Sequence, residues 1–160
     1  MWRPEFSFVS ARPARLEGYH RRLSVFSHHY RGTRECPGLV LGLDKGGFCE
    51  GLLYEIAADE WPEVIAMVRN REMLGDVYVE MALPVRVLKT ADEHAAITYV
   101  ANHHSQQFAR EMPKEKLLAY IEQGQGTKGS CRQYVTNTIL HLRNLGIYDE
   151  GLERLAAHVI

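Results

Sequence analysis

Gly38-Leu39-Val40-Leu41-Gly42-Leu43-Asp44-Lys45-Gly46-Gly47-Phe48-Cys49-Glu50-Gly51-Leu52-Leu53-Tyr54-Glu55-Ile56 carries the clearest local signal in the chain. Leu39, Leu41 and Leu43 alternate with small or polar neighbours, and Leu52, Tyr54 and Ile56 alternate again after the interruption. Strict alternation puts every second side chain on one face of a strand. Asp44-Lys45-Gly46-Gly47 has the composition of a tight turn, so the stretch predicts a β-hairpin over 38–56.

Upstream, Arg15 to Phe26 is rich in β-formers and predicts one bent strand. Downstream, Asp59 is placed to cap a short helix with Pro62 in its first turn, and Trp61, Val64, Ile65 and Val68 form its apolar stripe. Val77 to Leu88 then reads as the cleanest strand. Val77, Val79, Met81, Leu83, Val85 and Val87 share one face, with Tyr78, Glu80 and Arg86 on the other. Ala96 to Ala101 is a further short strand.

The last third is helical by period. Lys114 to Glu122 follows Pro113, Cys131 to Leu145 is amphipathic and stopped by Gly146, and Asp149 caps a final helix with Leu152, Leu155, Ala156 and Val159 inward. Strands first and helices later predict an α+β domain. The expected architecture is a small, partly closed, mainly antiparallel β-barrel or sheet with helices packed outside, formed by residues 1–160 as a single domain.

Bulk properties narrow the function. Of 160 residues, 46% are apolar and 24% charged, and 19 basic against 20 acidic side chains leave a net charge of −1. That balance argues against nucleic acid and against an anionic membrane surface as partners. No run of eighteen apolar residues exists, and Met1 to Phe6 has no apolar core of a signal peptide. Cys36, Cys49 and Cys131 are odd in number and widely spaced, which fits reduced thiols and a cytoplasmic location.

Motif inspection excludes several chemistries. His28-His29 and His103-His104 are adjacent pairs, and neighbours on a strand point to opposite faces, so neither pair suits one metal ion. The sequence has no HExxH, CxxC, GxGxxG, P-loop or GxSxG pattern. Glu72, just after the short helix in Arg69-Asn70-Arg71-Glu72-Met73-Leu74-Gly75, is the oddly placed carboxylate. The negative end of the helix dipole disfavours its charge, while Arg69 and Arg71 favour it. Two readings stay open for it: a solvated loop glutamate salted by its neighbours, or a general base beside a sheet.

Several segments, taken together and in order, resemble the ChaC family of γ-glutamylcyclotransferases. These are Trp2-Arg3-Pro4 with Phe6, Gly18-Tyr19-His20-Arg21-Arg22, Arg31-Gly32-Thr33 with Pro37-Gly38-Leu39-Val40-Leu41-Gly42-Leu43, and Gly51-Leu52-Leu53-Tyr54. Arg71-Glu72 with Gly75, Thr98-Tyr99-Val100-Ala101, and Tyr134-Val135-Thr136-Asn137-Thr138 with His141-Leu142-Arg143-Asn144-Leu145-Gly146-Ile147 continue the match. The resemblance implies that Glu72 is catalytic. It implies cleavage of glutathione, or another γ-glutamyl amide, to 5-oxoproline and, from glutathione, cysteinylglycine, with neither metal nor organic cofactor. That family opens on a strand ending in a Tyr-Gly-Ser-Leu turn, and no Tyr-Gly-Ser occurs in this chain. The chain is therefore expected to lack its first strand, or to start downstream of it, and a catalytically silent domain binding a γ-glutamyl metabolite or a protein is the alternative.

Four further residues are candidates for contacting substrate. Tyr54 lies on the strand face that would line a cavity, and Tyr134 opens the long C-terminal helix. Core packing with a bonded hydroxyl is the alternative for both tyrosines. Arg31 and Thr33 form a turn by composition, and Arg31 has the fork geometry for a substrate carboxylate. Arg21-Arg22 reads as a solvated strand edge, and Cys36 as an inert thiol.

Overall fold

The computed structural model describes residues 4–160. Trp2 and Arg3, part of the first matching segment, lie outside the described residues. The chain runs β1 (Ser10–Ser27), β2 (Gly38–Glu55), α1 (Trp61–Glu72), β3 (Tyr78–Val87), β4 (Glu93–Ala101), α2 (Lys114–Gln123), β5 (Gln125–Gly126), β6 (Gly129–Ser130), α3 (Cys131–Asn144) and α4 (Glu150–Val159). The four long strands close a barrel in the order β1-β2-β4-β3, and β5 and β6 form a separate two-stranded ladder.

β1 and β2 pair antiparallel along their whole length, from Ser10↔Glu55 to Ser27↔Gly38. β3 and β4 form the second long antiparallel ladder, from Tyr78↔Ala101 to Arg86↔Glu93. Two short contacts join these plates: β1 to β3 at Ala14↔Val87, Arg15↔Arg86 and Leu16↔Val85, and β2 to β4 at the parallel pair Leu43↔Val100. The expected α+β barrel with external helices is thus the observed architecture.

The predicted hairpin over 38–56 is corrected: this stretch is a single strand, and its partner is β1. Gly46 (φ 99°) and Gly47 (φ 64°) are left-handed, but they bend the strand where the register slips from Glu17↔Phe48 to Tyr19↔Lys45. Positive φ serves a bulge as well as a turn, so turn composition alone does not tell a bend from a reversal. Arg15–Phe26 is, as expected, one strand, with register shifts in it.

Three other expectations change. Glu60, not Asp59, is the N-cap of α1, without a side-chain cap, because Glu60 and Trp61 N–H groups both donate to the Ala57 carbonyl. Val77 to Val87 does not bury one uniform face: Val85 and Val87 are buried, but Val79 is 42% exposed. Tyr78, on the opposite face, sends its hydroxyl inward. Arg21 and Arg22 are no solvated edge either, with only 15% and 19% of their side chains exposed. Arg21 pairs with Asp149 and Arg22 with Asp44, partners whose distance in sequence hides the pairing from local pattern.

The main core lies between the barrel and the C-terminal helices. Leu23 and Leu39 from the barrel meet Ile121, Val135, Ile139, Leu142, Leu152 and Leu155. Each such side chain contributes about 2 kcal/mol by leaving water. The stripe predicted for α4 is the buried one, and Asp149 caps that helix through Leu152 N–H. No described helix is long and apolar enough to cross a membrane.

Candidate active site

Glu72 is the last residue of α1, so its carboxylate stands where the helix runs out and the chain turns toward β3. About a quarter of the side chain is exposed (23%), and Arg71 Nε donates to its Oε1 at 2.9 Å. Its charge reaches two phenols of the β3–β4 plate. Tyr78 is pushed well above the ordinary tyrosine range by burial, and the negative charge of Glu72 adds to the effect. Tyr99 is raised mainly by burial, then by its hydrogen bond to Glu80, with Glu72 again adding to it. Both phenols therefore stay protonated at neutral pH and can only act as neutral hydrogen-bonding groups.

Tyr78 leads from Glu72 into the barrel. Its hydroxyl donates to the Leu41 carbonyl at 2.7 Å, while the Leu41 N–H donates to the Tyr134 hydroxyl at 3.1 Å. Burial pushes Tyr134 up to about 12. Leu41, near the start of β2, is thus gripped on both backbone groups by tyrosines from different elements. The bonded-hydroxyl reading of Tyr134 is the geometry observed.

Arg31 lies on the far side of Tyr134, its guanidinium 5.2 Å from the ring centroid. Its Nη1 donates to the Lys128 carbonyl and, at 3.5 Å, to the Ser130 carbonyl, which ties the loop before β2 to the β5–β6 turn. Thr33 closes a turn of its own: its N–H donates to the Cys36 carbonyl, and its Oγ1 accepts from Cys36 N–H, each at 3.0 Å. Tyr54 sits beneath the N-terminal segment, with Phe6 and Phe8 edge-on to its ring at 5.7 and 5.1 Å. Burial raises its phenol as well.

The predicted residues therefore fall into four places. Glu72 stands with Arg71, Arg31 with Tyr134, and Tyr54 with Phe6 and Phe8, while Thr33 works within its own loop. Tyr78 meets Tyr134 on the backbone of Leu41, and the charge of Glu72 is felt at Tyr78. A cleft of about 340 Å³ lies elsewhere, lined by Glu35, Pro37, Lys116, Ala119, Tyr120 and Gln123. Glu72 is not part of it.

Sequence reasoning passes over Arg71 as a group in its own right, and over Tyr78. A signal for Tyr78 exists, since alternation places it with Glu80 on the face opposite the valines. What local pattern lacks is that the Tyr78 hydroxyl meets the backbone of Leu41, far away in sequence.

Barrel and outer helices define a small α+β barrel protein, and the helix-end carboxylate beside Arg71 is its candidate site. A family model described as ChaC-like protein matches residues 1–160, and the chain belongs to that family. A glutathione-specific gamma-glutamylcyclotransferase of Escherichia coli (strain K12) is 25% identical over 162 residues, covering 99% of this chain and 68% of that protein. Another protein of that name, from Schizosaccharomyces pombe (strain 972 / ATCC 24843), is 27% identical over 166 residues, covering 91% and 79%. Among solved structures, a gamma-glutamylcyclotransferase specific to glutathione from yeast superposes with a TM-score of 0.86 at 18% identity, covering 98% of this chain and 89% of that one.

Proposed function

We propose that the chain is a γ-glutamylcyclotransferase that cleaves glutathione to 5-oxoproline and cysteinylglycine, with Glu72 as the proton-transferring residue. The observation that carries this reading is the position of Glu72: a partly exposed carboxylate at a helix end, beside Arg71, in a chain whose relatives bear that activity in their names. In the reaction, Glu72 takes a proton from the α-ammonium of the γ-glutamyl group. The freed amine attacks the γ-carbonyl carbon of the same molecule, a C–N bond closes the five-membered lactam, and the bond to the cysteinyl nitrogen breaks. Glu72 returns its proton to that leaving nitrogen.

Nucleophile and electrophile share one molecule, so the protein's task is to hold the substrate folded and to move protons. Oriented intramolecular attack of this kind is worth roughly 7–11 kcal/mol in the best cases. Tyr54, Arg31, Thr33 and Tyr134 take supporting parts in this reading. Tyr134 acts through Leu41, Arg31 through the β5–β6 turn and Thr33 through its loop, each shaping the wall rather than touching the reacting atoms. Residues 1–160 act as one domain, in the cytoplasm, on a small molecule and without nucleic acid.

The test is 5-oxoproline release from glutathione by the purified chain and by Glu72→Gln. Release by the first and a loss of about 100-fold or more in the second supports the reading, since positioned acid–base groups contribute about that much. Equal release by both, or none by the folded chain, overturns it. Binding of glutathione without release is the outcome expected of a silent γ-glutamyl-binding domain.

A further inference from the structure

Glu72 sits on the part of α1 that the core does not hold. The helix buries Val64 and Val68, and none of its last four residues, Arg69 to Glu72, is buried. Polar contacts hold this turn instead. Arg69 Nε donates to Glu80 Oε2 at 2.8 Å and its Nη2 to Oε1 at 2.7 Å, so guanidinium and carboxylate meet as two forks. The Tyr99 hydroxyl, from the neighbouring strand, donates to the same Oε2 at 2.8 Å. Glu80 thereby gathers α1, β3 and β4 on one carboxylate.

The hold passes to the segment that bears Glu72. The Arg69 carbonyl accepts from the N–H of Met73, the residue directly after Glu72, at 2.8 Å. Further along, the chain is pinned at Asp76. The Asn102 side-chain amide donates to the Asp76 carbonyl at 2.7 Å, and the Ser105 hydroxyl donates to Asp76 Oδ1 at 2.8 Å. Glu72 therefore hangs between two ties, one to β3 and β4 and one to the turn that follows β4. A two-pronged contact between arginine and carboxylate fixes direction as well as distance. The Arg69 side chain is half exposed, so the pair adds little to the stability of the whole fold, and its effect is local.

We propose that Glu80, through Arg69 and with Tyr99, is a positioning residue for Glu72: it fixes the last turn of α1 on the sheet and so sets where the carboxylate stands. This rests on the cyclotransferase reading and adds to it a residue that touches no substrate. Proton transfer depends steeply on geometry, and a misplacement of about 1 Å costs on the order of 100-fold. A loss of that kind falls on the transition state, and so on kcat rather than KM.

The experiment measures 5-oxoproline release from glutathione by the unmodified chain, Glu80→Gln, Arg69→Met, Arg69→Lys and the double variant Glu80→Gln/Arg69→Met. Urea midpoints and amide hydrogen exchange at Met73 are read on the same proteins. Each of Glu80→Gln and Arg69→Met is expected to lose roughly 10-fold or more in kcat with KM little changed, as for a carboxylate displaced by a fraction of an ångström. Urea midpoints should stay near that of the unmodified chain, while the Met73 amide exchanges faster. The double variant should lose no more than the worse single one, because the two residues act as one clasp. Arg69→Lys, which keeps the charge without the fork, should fall between. Unchanged kcat in both single variants, losses that multiply in the double one, unaltered exchange at Met73, or a fall in kcat that merely follows the urea midpoint overturns the proposal while leaving the cyclotransferase reading intact. No release by the folded, unmodified chain overturns both.

Discussion

Arg21 Nη1 donates to Asp149 Oδ2 at 2.6 Å, and the other oxygen of that carboxylate accepts from Leu152 N–H at 3.1 Å. One carboxylate thus both caps α4 and ties it to the barrel. Arg21 also reaches the Glu50 carbonyl through Nη2 at 2.8 Å, so a single arginine joins β1, β2 and the last helix.

Removing this carboxylate strands a largely shielded cation and uncaps a helix. Asp149→Ala is expected to destabilise the chain by about 3 kcal/mol, because an unpaired buried charge is worse than a lost pair. Asp149→Asn, which keeps a capping oxygen, should lose less. Midpoints of urea unfolding measure both, and equal midpoints for Asp149→Ala and the unmodified chain would refute this double role of the carboxylate.

Acid should weaken the fold at Asp44. Burial alone would raise its carboxyl, but hydrogen bonds from Arg22, His103 and the Lys45 N–H outweigh it and hold the group below the ordinary carboxylate range. A depressed folded-state value stabilises the fold at pH above the ordinary aspartate value, about 4, and that contribution fades as pH falls toward the depressed one. Asp44→Asn is therefore expected to unfold more easily at pH 7 by about 2 kcal/mol. Its disadvantage should shrink below pH 4, as read from urea midpoints across that range.

Ser24 and Gly42 face each other inside the barrel. The Ser24 hydroxyl is fully buried without a hydrogen-bond partner among the described residues, and a Cβ placed on Gly42 would lie 2.6 Å from it and 3.0 Å from Ala101 Cβ. Gly42→Ala is expected to cost about 2 kcal/mol through overpacking. Ser24→Ala should be neutral or stabilising, since an unpaired hydroxyl leaves the interior, and should relieve part of the Gly42→Ala defect when the two are combined. Thermal unfolding of the three variants decides this.

Glu72 and Tyr78 should separate activity from stability. Glu72→Gln keeps the oxygen that Arg71 holds, so its stability should stay within about 0.5 kcal/mol of the unmodified chain while turnover falls 100-fold or more. Tyr78→Phe leaves the Leu41 carbonyl without its donor and should cost about 1 to 2 kcal/mol in unfolding experiments.

Local pattern suffices wherever one element carries its own signal. The strand at Val77–Leu88, the helix at Cys131–Leu145 and the cap at Asp149 correspond to β3, α3 and the N-cap of α4. It fails where meaning depends on a distant partner. Gly46 and Gly47 need the register of β1 to be known as a bulge, and Arg21 needs Asp149, 128 residues away, to be known as buried. For the candidate site, family resemblance and helix position single out Glu72. Its neighbourhood is not legible: Tyr78 and Tyr134 meet through the backbone of Leu41, a relation no side-chain pattern encodes.

Closure of the barrel has a consequence for motion. Two long ladders make stiff leaves, β1–β2 and β3–β4, and among the described residues the pair Leu43↔Val100 is the single rung holding one margin shut. The opposite margin, Ala14–Leu16 against Val85–Val87, then serves as the spine of a book. Glu72 rides with the leaf that β3 begins, and Leu41 with the other. The Tyr78 hydroxyl on the Leu41 carbonyl is a second tie across the same margin, so the seam between the leaves rests on one backbone rung and one side-chain clasp.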